Sequence, residues 1–155
     1  MTTRTAAQVR QDIAARVVAI GGSWNLAPVP FALFGPSLVP DAIPSSRGHL
    51  AFAVGLTATE AMKDRQRPSE GVETRTRASV KFLARLTPKD QLASEDAALD
   101  AELALVQQLC AVVSSPPWPG YFHVIWRNSA RTAVPTGEWF VVEVQFDIYH
   151  RTPLQ

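Results

Sequence analysis

Three histidines, one cysteine and a pair of carboxylates are the residues of this chain with the chemistry for catalysis or metal binding. His49, His123 and His150 stand far apart, without the paired spacing a metal site needs. Cys110 shares an apolar stripe with Val106 and Val113, where the expectation for a thiol is burial in the core rather than nucleophilic work. Glu143 and Asp147 alternate on one strand face, a spacing that would suit acid and base roles. Arg127 and Arg131 on the adjoining segment instead predict cross-strand ion pairing. No G-x-S-x-G, G-x-x-x-x-G-K or G-x-G-x-x-G occurs, so the signatures of a nucleophile elbow and of a phosphate cradle are missing. The expectation is no enzymatic activity, no metal and no cofactor.

Charge is more informative than chemistry. Residues 60–85 carry seven bases (Lys63, Arg65, Arg67, Arg75, Arg77, Lys81, Arg85) against four acids, whereas residues 90–102 carry five acids and no base. Two such blocks in one chain predict either two solvated faces or a head-to-tail contact in which one subunit's acidic helix meets its neighbour's basic strand. Nucleic acid is a third partner for the basic strand, but no aromatic residues interleave with Arg75, Arg77 and Lys81 as stacking platforms.

The elements that must position these groups follow from periodicity. Val9, Ile13, Val17 and Ile20 recur at helical spacing across residues 5–20, and Gly21-Gly22 ends the pattern. Residues 25–47 hold five of the twelve prolines together with many apolar side chains, so residues 27–44 are expected to form an extended arm laid on a surface. Alternation predicts strands over residues 49–57 and 72–86. The first has a nearly bare second face (Ala51, Ala53, Gly55), and the second has one apolar and one basic face. Ser94 is expected to cap a helix with an acidic first turn (Glu95, Asp96) and a buried stripe of Leu99, Leu103, Val106, Cys110 and Val113. Strands over residues 121–132 and 138–151, joined by Pro135-Thr136-Gly137, read as a hairpin. The sum is one α+β domain over residues 1–155: a mostly antiparallel four-stranded sheet against two helices, with the arm.

Composition bounds the class. At 155 residues and 46% apolar content the chain is long enough for its own core, and no apolar run approaches the roughly 18 residues of a membrane span. Charged residues make up 19%, below the roughly 25% usual for soluble domains, which is expected when subunit surfaces are covered. A net charge of +1 gives no overall pull on nucleic acid or lipid, a single cysteine fits a reducing compartment, and MTTRTAAQVRQDIAARVVAI, with arginines and an aspartate inside its apolar pattern, is unlike a secretory signal, so synthesis in the cytoplasm is expected.

The order of these segments resembles a family. The amphipathic first helix, the proline-rich stretch, HLAFAVGLT, a charged loop, ETRTRASVKFLARL, PKDQLASEDAALDAELAL and the final EWFVVEVQFDIYHR are similar to the tail terminator (tail completion) proteins of long-tailed bacteriophages. The proline-rich arm is a departure from simpler members. The resemblance implies a virion protein of the tail or neck, a homohexameric ring that caps the tail tube and joins it to the head-tail connector. It also implies DNA passing only in transit through the lumen, no membrane, and no catalysis. Phe31, Leu33 and Phe34 of the arm, Arg75, Arg77 and Arg85 of the basic strand, and Glu95, Asp96 and Asp100 of the acidic helix are the expected subunit contacts. The rival expectation is a small-molecule or enzymatic pocket over the bare face, served by His49 or His123.

Overall fold

The computed structural model describes residues 2–34, 49–62, 71–111, 120–134 and 138–153. Helix α1 (Ala6–Val18) begins at a reciprocal cap: the Gln8 N–H donates to Thr5 Oγ1 at 3.3 Å and the Thr5 N–H donates to Gln8 Oε1 at 2.9 Å. Val9, Ile13 and Val17 are buried, and the chain leaves through Gly21 at φ 83° and Gly22 at φ 58°, left-handed values that cost other residues energy. Trp24 then turns back into the core, edge-on to Phe82 at 5.0 Å.

Strands β1 (Phe52–Ala61), β2 (Val72–Arg85), β3 (Tyr121–Ala133) and β4 (Trp139–Thr152) form one sheet in the order β1-β2-β4-β3, with every neighbouring pair antiparallel. The expected α+β architecture is present. Alternation in β2 sets two faces. Ala78, Val80, Phe82 and Ala84 join Phe52, Val142, Val144, Phe146 and Ile148 beneath the helices, and each fully buried large side chain there contributes roughly 1.5–3 kcal/mol. The odd-numbered residues of β2 face the other way.

Helix α2 (Gln91–Cys110) corrects two expectations. Ser94 does not cap it: the helix starts three residues earlier, and the Ser94 hydroxyl accepts the Thr87 N–H at 3.0 Å while donating to the Asp90 carbonyl at 2.9 Å. Glu95 and Asp96 therefore lie in the second turn. The buried residues are Ala98, Glu102, Leu105 and Leu109, so the stripe toward the sheet is rotated about one residue from the expected one. Leu99 and Leu103 are left 44% and 54% exposed. Glu102 tolerates burial because Arg131 of β3 grips it with two bonds of 2.7 and 2.9 Å. Val113 lies outside the described residues.

Arg16 of α1 is also buried. Its guanidinium donates to the carbonyls of Gln108 at 3.4 Å and Ala111 at 3.0 Å, and Gln108 donates back to the Arg16 carbonyl at 3.0 Å. Because α2 ends without a glycine, these bonds satisfy its last carbonyls and place positive charge at the negative end of its dipole. Burial lowers the Arg16 pKa from its ordinary value.

Candidate assembly surface

The sheet face away from the helices divides into an apolar third and a polar remainder. Val29, Phe34, Ala51, Ala53 and Leu83 form a second small core, with Phe31, Leu33, Trp139 and Val141 around it. The prolines explain how the arm lies there. Pro28 and Pro30 have no N–H to offer, and the Val29 N–H between them bonds the Phe52 carbonyl at 2.8 Å, pinning the arm to β1. Gly55 leaves the space that the Phe31 ring fills, for a Cβ there would lie 2.7 Å from the ring. The bare face of β1 is thus covered by the chain's own arm, which removes the pocket expected over it. Phe34, expected to dock on a neighbour, is 4% exposed and belongs to its own subunit's core; Phe31 and Leu33 are half-buried beside it. Residues 35–44 of the arm lie outside the described residues.

The polar remainder is organised by Asp147, whose side chain is 1% exposed. Arg127 donates to it from Nε at 2.6 Å and Arg77 from Nε at 3.3 Å, while Arg75 stands 4.0 Å away and is paired with Glu60. Burial alone would raise the Asp147 pKa; the bonds from Arg127 and Arg77 outweigh it and hold the carboxylate below its ordinary value. Arg127 is raised in return. Glu143 is held down in the same manner, against the effect of burial, by Gln145, Ser79 and Lys81. Of the two arginines expected to pair with these acids, Arg127 does so. Arg131 does not, because the register shift between Trp126 and Asn128 carries it to the helix face and Glu102. Arg85 lies over the Trp139 ring at 5.7 Å, and its N–H donates to His49 Nδ1 at 3.2 Å.

Glu95, Asp96 and Asp100 sit on α2, on the opposite side of the sheet from Arg75, Arg77 and Arg85, so one chain does not bring the two charge blocks together. Asp96 and Asp100 are exposed, and none of the three acids has an ion pair among the described residues. Leu92, 72% exposed, lies on one line with Leu99 and Leu103 at spacings of seven and four, giving α2 a second apolar stripe that nothing covers among the described residues. Two neighbours fix where this stripe faces. Gln108, on one flank of α2, bonds to α1, while Cys110, on the other, meets the backbone at Trp126. The exposed stripe shares the flank of Cys110 and looks out past β3, an open edge whose Trp126 and Ile125 are 48% and 39% exposed. None of these was singled out from sequence as a contact. The available signal was the number of leucines in α2, more than one buried stripe requires.

The titratable groups converge only in part: His123 and His150 line one pocket with Glu73, Tyr121 and Tyr149, whereas His49 and Cys110 lie elsewhere. His49 lies beyond the Arg85 end of β2, and His123 stands against Tyr149, which pairs with Arg75 toward the other end. Burial and the Arg85 charge lower the His49 pKa. His150, 1% exposed, bonds through Nε2 to Thr76 Oγ1 at 2.8 Å, and burial lowers its pKa despite an opposing contact with the Arg151 backbone. Burial raises the Cys110 thiol, which packs against the core. Among the described residues, no three His, Cys, Asp or Glu side chains are grouped to hold a metal ion.

No family model matches the chain, and no curated protein matches it. Among solved structures it is similar to a chain described as "Virion of native gene transfer agent (GTA) particle". The identity is 12%, the coverage 64% of this chain and 68% of that one, and the TM-score 0.42.

Proposed function

We propose that this protein is a structural ring subunit of a phage-like tail, the tail terminator that caps the tail tube and joins it to the neck, without catalytic activity of its own. The observation that carries this reading is the second apolar stripe of α2. A domain with a complete core of its own still presents Leu92, Leu99 and Leu103 along one flank of α2, and an uncovered apolar stripe of that kind belongs to subunits that assemble. Three further features support it: the order of segments that resembles the tail terminator family, the low charged content, and charge blocks on opposite sides of one sheet. Its partners are other copies of itself, the tail tube protein and the head-tail connector, with DNA only in transit. The test is to add purified protein to polymerising tail tube protein. Tubes that stop growing and carry a ring of density at one end support the assignment; tubes that elongate unchanged overturn it.

A further inference from the structure

We infer that the outer flank of α2 in one copy docks on the open sheet face of a second copy, around Ile125, Arg77 and Arg127. This contact rests on the ring reading above and says which surfaces build the ring.

Charge complementarity selects the occupant. Leu92, Leu99 and Leu103 are interleaved with Asp96 and Asp100, so the flank is apolar and acidic, and those acids have no ion pair within their own chain among the described residues. A fitting partner is apolar and basic. The open face of the same protein has that composition. Ile125, 39% exposed, pairs in register with Asp147, where three guanidinium groups (Arg75, Arg77, Arg127) stand against two carboxylates (Asp147, Glu60). Arg77 and Arg127 keep 47% and 44% of their side chains exposed while bound to Asp147, so each has donors left for a visiting acid.

The two surfaces lie on opposite sides of the sheet, so they meet only between copies. A contact between two different patches that is not reciprocated is head-to-tail, and repetition of it closes into a ring or runs on as a filament. Rim charges set the register and the apolar stripe supplies the larger share of the free energy, since exposed ion pairs contribute little each.

The test uses two full-length chains, each disabled on one surface. Leu99→Lys places a cation on the helix flank, facing the basic sheet; Ile125→Glu places an acid on the sheet face, facing the acidic flank. Both positions are well exposed, and thermal melting confirms that each variant folds; Leu103→Lys replaces Leu99→Lys if it does not. Mass is measured in solution for each variant alone, for their equimolar mixture and for the unmodified chain, at low salt. The expected result is large assemblies for the unmodified chain, monomers for each variant, and 1:1 heterodimers and nothing larger for the mixture, because the mixture retains a single intact contact. Variants that assemble like the unmodified chain, or a mixture that stays monomeric, overturn this contact and leave tail capping to be judged by its own experiment. An unmodified chain that remains monomeric at its highest soluble concentration also overturns the contact, whatever the tube assay shows.

Discussion

Asp147 and His150 lie three residues apart in β4, both buried, and their environments dispose them to opposite charge states. Asp147 is kept ionised by Arg127 and Arg77; His150 is kept neutral by burial. Both have folded pKa values below the unfolded ones, so each contributes stability that is complete above the unfolded value and is lost as pH falls, because the unfolded chain takes up the proton first. The two windows are separate. For His150 the loss begins below about pH 6.5, with His49 adding to it, and for Asp147 and Glu143 it begins below about pH 4. Urea midpoints followed from neutral to acid pH are expected to fall in two stages. His150→Gln should flatten the first stage and Asp147→Asn the second, and variants whose decline keeps the same two-stage shape as the unmodified chain would refute this assignment. The ion pairs at Asp147 were legible from sequence as far as Arg127, since strand alternation faces it toward the acid. Arg131 was not, because a one-residue register shift is invisible to alternation and reverses which side a side chain takes.

At the level of elements, strands were legible and helix orientation was not. The period of β2 is two and its faces differ sharply in polarity, so its apolar side could be assigned to the helices from sequence. Helix α2 carries two apolar stripes about 100° apart. Counting large residues favours Leu99, Leu103 and Val106, whereas the structure buries Ala98, Glu102, Leu105 and Leu109. The choice depends on Arg131, 29 residues further along, neutralising Glu102. The described part of the arm packs on its own sheet for a related reason: the prolines exclude helix and central strand, but they do not exclude packing on the chain's own sheet. Phe34→Ala is therefore expected to cost about 3 kcal/mol of folding stability, read as a lowered urea midpoint of the isolated subunit. An unchanged midpoint together with failed assembly would restore the arm to the interface. Gly55→Val should displace the Phe31 ring, and the added side chain is expected to be tolerated better when combined with Phe31→Ala, because the two groups claim one volume.

For the molecule as a whole, the sheet order β1-β2-β4-β3 places the strand latest in sequence at the centre. β4 pairs along its length with β2 on one side and with β3 on the other. The candidate interface draws on both sides of this sheet, and sequence alone did not place those sides relative to each other, since neither charge block contacts the other in one chain. A chain shortened before Trp139 is expected to lose cooperative unfolding altogether rather than part of its stability, and calorimetry showing a residual sharp transition would contradict that. During synthesis, β1, β2 and α2 emerge well before β4, yet Asp147 comes only with β4, and without it Arg77 and Arg127 have no anchor and the open face has no defined shape. An incomplete polypeptide therefore lacks the sheet-face half of the proposed contact. If the proposed contact builds the ring, the topology would act as proofreading: a copy could accept a neighbour on its sheet face only once β4 has been threaded between β2 and β3.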